Sequence, residues 1–207
     1  MKDFGFRFKG WRGSNDVRSF ASVCIRGASR AVARPKFLIA LVAPLAVVFV
    51  FLIQSNLKAI TNTITVNTTS DTPAAHFCTL REAIANANAE ADVSGGHCSA
   101  GTGNDTINFS VSGTTMPGSL LPAIANNLTI DGTGQSITID AGNSFQVLLV
   151  NPGASVAVTS LTITHGFASG TGGGGGITSL GTLTITNSTF SNNKAGGSGG
   201  GLYAANS

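Results

Sequence analysis

Charge is what this sequence has least of. Asp, Glu, Lys and Arg make up 10% of its 207 residues, against about 25% in an ordinary globular chain. It has one Trp, one Tyr, two Met and three Cys. The shortage of Lys, Glu and Arg excludes a long coiled coil and a charged disordered tail, which are built from them. It also argues against a nucleic-acid partner, although the isoelectric point is near 9.0, because phosphate binding draws on clustered cations.

The net charge of +3 averages two unlike segments. Residues 1–36 carry nine Lys or Arg against Asp3 and Asp16, a balance of +7. Lys58 adds one more. Beyond residue 60 only Arg81 and Lys194 stand against seven carboxylates, a balance of −5. Residues 37–53, FLIALVAPLAVVFVFLI, hold no charged or polar side chain.

A basic flank followed by an apolar run is the pattern of an export signal. The positive-inside rule keeps residues 1–36 in the cytoplasm and sends the chain after Ser55 across the membrane. Seventeen residues lie at the short edge of what spans a bilayer. Three readings compete, the third being a buried soluble helix, which would need a large core around a segment this apolar. The first is a cleaved signal peptide, with Leu57-Lys58-Ala59 as a weak cleavage site; the second is an uncleaved signal-anchor. The expected organisation is a basic cytoplasmic segment at 1–36 and a signal h-region or anchor at 37–55. An N-terminal cap at 60–110 and a repeat region at 111–207 follow. The expected location is extracellular or at the outer membrane or cell surface, with membrane contact only through residues 37–53.

Cys24 lies in the basic block, whereas Cys78 and Cys98 lie beyond the membrane, where disulfides persist. Between the latter two runs CTLREAIANANAEADVSGGHC. Thr79 and Glu82 have the spacing of a capping box, in which hydroxyl and carboxylate each take an amide hydrogen of the first helical turn. Leu80, Ala83, Ile84, Ala87 and Ala91 recur at three- and four-residue steps. This spacing predicts an amphipathic helix over 80–91, stopped by Ser94-Gly95-Gly96. A Cys78–Cys98 disulfide at its base would stabilise the fold by about 3 kcal/mol. Free thiols, or a metal site adding His76 and His97, are the alternatives, although that spacing fits no common zinc pattern.

From about Thr61 the texture becomes short segments alternating Ile, Val or Leu with Thr or Asn. Examples are Thr63-Ile64-Thr65-Val66, Leu128-Thr129-Ile130 and Leu183-Thr184-Ile185. Period-two alternation with β-branched residues predicts strands. A longer period of 24–28 residues aligns Val150 with Ile177, Val156 with Leu183, Leu128 with Val156, Ile137 with Leu161 and Ile177 with Leu202. Three short strands per unit at that period predict a solenoid, in which thin units bury a core only by stacking. Rungs stack about 4.8 Å apart. Like charges at that spacing repel, which explains their scarcity. The helix would cap the exposed end of the stack. The sequence ends at GGGLYAANS, inside a repeat, so it is expected to be a piece of a longer product.

The segment Cys78-Thr79-Leu80-Arg81-Glu82-Ala83-Ile84 with Asp105-Thr106-Ile107-Asn108-Phe109 and Leu128-Thr129-Ile130-Asp131-Gly132 resembles the CSLREA-domain proteins, with Thr79 in place of Ser. The GGGI and GGGL lead-ins and Phe190-x-x-Asn193 are similar to repeats of polymorphic outer membrane proteins and pectate-lyase-like β-helices. The resemblance implies an all-β fold, a right-handed parallel β-helix with an N-terminal capping α-helix. It also implies a surface location, mostly in bacteria, and brings no activity with it.

Such folds host polysaccharide lyases and hydrolases, so chemistry must be looked for. The best carboxylate pair is Asp131 and Asp140. They end neighbouring strands, and Asx-turn bonding to the backbone accounts for both. Lys194 has no acid near it in sequence. His165 aligns with Asn192 and reads as a turn residue. Gly170–Gly176 lacks the Lys-Ser/Thr of a phosphate loop and reads as a flexible turn. No catalytic residue, cofactor or metal is therefore expected. The expected function is an adhesion or display scaffold facing a carbohydrate or another cell-surface ligand. The alternative is a lyase or hydrolase whose catalytic rungs lie beyond the fragment.

Overall fold

A computed structural model describes residues 61–197 and 199–205 of the chain. The export segment read at 1–36 and 37–55 lies outside the described residues.

In chain order the elements are β1 (Asn62–Val66), α1 (Leu80–Ala89), β2 (Asn104–Phe109), β3 (Gly113–Thr115), β4 (Asn127–Asp131) and β5 (Ile137–Asp140). There follow β6 (Leu148–Val150), β7 (Ser155–Thr159), β8 (Leu161–Thr164), β9 (Phe167–Ala168) and β10 (Ile177–Ser179). The last are β11 (Thr182–Thr186), β12 (Thr189–Ser191), β13 (Lys194–Ala195) and β14 (Leu202–Ala204). Every pairing between these strands is parallel.

The first sheet runs β1-β2-β4-β7-β11, the second β12-β8-β5-β3 and the third β14-β10-β6, with β9 and β13 as a short fourth pair. Neighbours in each sheet are one turn of chain apart, so the described residues form an all-β parallel solenoid of about four turns with one short helix. Four of the five predicted alignments are observed registers. Leu128 pairs with Val156 and Val156 with Leu183. Ile137 pairs with Leu161 and Ile177 with Leu202. The alignment of Val150 with Ile177 is off by two residues: Ile177 pairs with Leu148 and Val150 with Ser179, because this turn takes 29 residues, and the even shift keeps the same face inward.

Alternation places one set of side chains inside. Ile64, Ile107, Ile130 and Val158 form one fully buried column across the first sheet, and Ile139 and Ile163 belong to another in the second. Each buried aliphatic side chain contributes about 1.5–3 kcal/mol. Burial falls away at the last turn. Leu183 and Ile185 are half-buried and Leu202 is 40% exposed, because no strand among the described residues lies beyond β11 or β14.

The corners are tight. Ser160 and Asn187 join the first sheet to the second, and His165 and Asn192 leave the second; all four have φ between 49° and 54°. A single left-handed residue turns the chain sharply, and Asn tolerates that region better than most. His165 and Asn192 are thus equivalent turn residues, as their alignment predicts.

Three further details depart from the expectations. The helix ends at Ala89 rather than Ala91, because Glu90 adopts φ 51° and its N–H turns back to the carbonyls of Ala87 and Asn86. The glycine run is an exposed turn only over Gly170–Gly172, whereas Gly173–Gly176 are buried. A Cβ on Gly175 would stand 2.2 Å from the Lys194 carbonyl oxygen, so this glycine lets two backbones meet rather than lending flexibility. Finally, the solenoid already includes β1, ahead of the cap helix. β1 and β2 share the first sheet with β4, and α1 is an excursion between them. The division drawn between 110 and 111 falls inside one continuous sheet system.

Candidate functional site

The cap is built from the capping box outward. Thr79 has extended backbone (φ −82°, ψ 159°) and its hydroxyl accepts from the Glu82 N–H at 3.2 Å. Glu82 Oε2 accepts from the Thr79 N–H at 3.1 Å and from its hydroxyl at 2.9 Å. The other carboxylate oxygen, Oε1, lies 2.7 Å from His97 Nδ1. His97 precedes Cys98, which is bonded to Cys78, the residue before Thr79. A ring of contacts therefore closes through the disulfide.

The four side chains weighed as metal ligands do not converge. Both sulfurs are in the disulfide, His97 is on Glu82, and His76 sits exposed at φ 69°.

Burial pushes the Glu82 carboxyl up, but the hydrogen bonds from His97 and from the Thr79 amide and hydroxyl together hold it below the ordinary glutamate value. A depressed folded value contributes stability above the unfolded pKa of about 4.3. That contribution is lost as pH falls through the folded value. We expect Glu82→Gln to destabilise the oxidised chain by about 1 kcal/mol at neutral pH. Urea unfolding at neutral pH and near pH 3 checks this; the gap between variant and wild type should shrink in acid.

Polar residues dock the cap on the first full turn. Arg81 holds Asp71 through Nε and Nη2 (2.9–3.1 Å), and its Nη groups donate to the carbonyls of Ser119 and Leu120 at 2.8 Å. Asn86, fully buried, accepts from the Val93 N–H and donates to the Ser99 carbonyl. Asn88 clasps the Ala123 carbonyl and the Ala125 N–H. The apolar stripe of the helix identified its packing face, but not these two asparagines between the stripe positions.

The paired aspartates separate. Asp131 ends β4 in the first sheet and its Oδ1 accepts from the Thr133 N–H at 2.9 Å. Asp140 ends β5 in the second and its Oδ1 accepts from the Gly142 N–H at 2.8 Å. Both make the Asx bonds expected of them. Asp140 does more: its Oδ2 lies 3.0 Å from His165 Nδ1. One turn further, the Ser191 hydroxyl donates to Thr164 Oγ1 at 3.0 Å. The 24-residue alignment of Ile137 with Leu161 puts Asp140 beside Thr164, next to His165, so this contact had a signal in the sequence. A carboxylate on Nδ1 orients the imidazole and leaves Nε2 as its outward group.

The outer face of the first sheet is uncharged apart from Asp131 at the end of β4. Thr63, Thr106, Thr129, Ala157 and Thr184 lie in one column. Asn104, Asn127, Ser155 and Thr182 lie in the next. The Asn127 amide donates to Asn104 Oδ1 at 3.0 Å, and its oxygen accepts from the Ser155 N–H. All of these residues except Thr63 line an open groove of about 320 Å³, with Asp105 also in its lining. No helix among the described residues is long and apolar enough to cross a membrane. No family model, curated protein or solved structure matches the chain.

Proposed function

We propose that this chain is an exported β-solenoid that works at the cell surface as an adhesion or display scaffold, without catalysis. The Cys78–Cys98 disulfide carries the reading. It staples the cap of a rigid stack and belongs to an oxidising compartment. The +7 segment and the apolar run at 37–53 supply a route there. The CTLREAI segment, in its resemblance to the CSLREA-domain proteins, supports the same location. A stack of parallel strands offers long, regular flanks, and repeat folds use such surfaces to bind. The scarcity of charge suits a neutral ligand, a carbohydrate above all, over nucleic acid.

The test is expression of the full chain in a Gram-negative host. Compartment fractionation, protease treatment of intact cells and thiol labelling would follow. The expected result is residues 61–207 outside the inner membrane with Cys78 and Cys98 oxidised. A reduced, cytoplasmic protein would overturn the reading.

The Asp140–His165 pair favours a second reading, that of a carbohydrate-active β-helix. Turnover of a polyuronate by the chain, abolished by Asp140→Asn or Asp131→Ala, would establish it in place of the first.

A further inference from the structure

Just past the His165 corner, the surface holds an open groove of about 360 Å³. It lies between Leu120 and Ser144 on one side and the exposed loop at Ser169–Gly172 on the other, with Phe145, Gln146 and Phe167 in its lining. Its remaining wall is alanine and glycine, so the lining carries no charged side chain.

Phe145 and Phe167 occupy successive turns, with the Phe167 N–H donating to the Phe145 carbonyl at 2.8 Å. Phe145 is packed partly against the core, whereas Phe167 is 37% exposed. An aromatic ring left to water at a corner where the equivalent residue one turn on is Lys194 is not required by the solenoid.

Gln146 is held from behind. Its Oε1 accepts from the Thr178 hydroxyl at 3.0 Å, and Thr178, itself buried, accepts from the Gly174 N–H at 2.8 Å. The Thr178 hydroxyl also lies 3.3 Å from the Gly174 carbonyl, so its one hydrogen is shared between the two acceptors; among the described residues nothing takes up the Gln146 NH2. The Ser144 hydroxyl reaches only a long 3.4 Å contact to the Gly142 carbonyl, so its bonding capacity is largely unspent.

A ring face, an oriented amide donor and spare hydroxyls without charge fit a ligand that is itself amphipathic and neutral. A pyranose is such a ligand: its C–H face lies on an aromatic ring while its hydroxyls take and give hydrogen bonds. The lining offers no cation to a phosphate or carboxylate ligand; Lys194 stands beside Phe167 on the next turn and lies outside the lining.

We infer that this groove binds a pyranose unit of a neutral glycan, with Phe167 as the stacking face and the Gln146 amide as the orienting donor. The inference rests on the reading of the protein as a surface-binding scaffold and names a ligand class and a place for it. A shallow open groove that takes one or two sugars implies a dissociation constant on the order of 1 mM. Affinity at a surface would then come from many copies acting together.

The test titrates the full chain with neutral oligosaccharides (gluco-, galacto-, manno- and N-acetylglucosamine series), with polygalacturonate as the charged comparison. Binding is read by NMR shifts of Phe145, Gln146 and Phe167. The expected result is saturable shifts at those residues with at least one neutral series. Phe167→Ala should weaken binding at least about tenfold with the circular dichroism spectrum unchanged, Gln146→Leu should also weaken it, and Thr129→Ala on the first sheet should leave it alone.

Absence of shifts with every neutral series would overturn the inference. So would binding that Phe167→Ala leaves unaltered, or binding of polygalacturonate alone. These failures leave the surface location standing, because that is read by fractionation; a cytoplasmic protein that still binds glycan in this groove would remove the location and keep the site.

Discussion

Replacing both Cys78 and Cys98 by serine is expected to lower the unfolding free energy of the chain by about 3 kcal/mol. The bond closes a loop between residues 20 apart in sequence, and most of its effect in the chain-entropy account is on the unfolded ensemble. A domain stable by about 5–15 kcal/mol would lose a large fraction of its margin.

The loss should also be local. The disulfide is one side of the ring that runs through Thr79, Glu82 and His97, so opening it frees the segment after α1 to swing away and takes His97 from Glu82. Contacts in a solenoid run mainly between neighbouring turns. Amide exchange in α1 and β1 should therefore rise strongly, while β7 and β8 keep most of their protection. Chemical denaturation of the double variant, paired with residue-level exchange, checks both statements. A uniform rise across all turns would mean that the cap and the stack unfold as one unit. Reducing the wild-type chain should reproduce the variant.

Which features could be read beforehand follows from what each depends on. The strands and their registers depend on alternation and on a repeat of 24–28 residues, and both are properties of residue order. The pairing of Leu128, Val156 and Leu183 needs no knowledge of space. The capping box is equally local, since Thr79 and Glu82 are three residues apart.

The misses involve groups brought together by coiling. Gly175 reads as a loose turn until the Lys194 backbone is seen against it. Asn86 and Asn88 read as surface residues of a helix, yet they satisfy backbone groups of segments 7–37 residues away. The meeting of Asp140 with His165 depends on two different rungs sharing a corner. The groove of Phe145 and Phe167 has the same origin, because each Phe is unremarkable in its own turn. The candidate site was thus the less legible part: it lies at corners, where the period drifts and insertions vary, rather than in the strands.

The stack should also show its direction in core variants. Ile130→Ala is expected to cost about 3–4 kcal/mol, within the range for a fully buried large-to-small change. Ile130 has no exposed surface, and it sits between Ile107 on one turn and Val158 on the next. Neither neighbour can move in to fill the space, because both are fixed by the parallel ladder of the first sheet. Ile185→Ala removes the same methyl groups at the equivalent position two turns on. In its column Ile185 has a described neighbour on one side, Val158, and it is half-buried, so part of its surface is already in water and the truncated site leaves no closed cavity. Its cost should be about 1 kcal/mol. Equilibrium urea unfolding of the two variants under oxidising conditions measures the difference. Equal costs would mean that the described end of the stack is covered in solution, and the two-fold or greater ratio expected here would be lost with it.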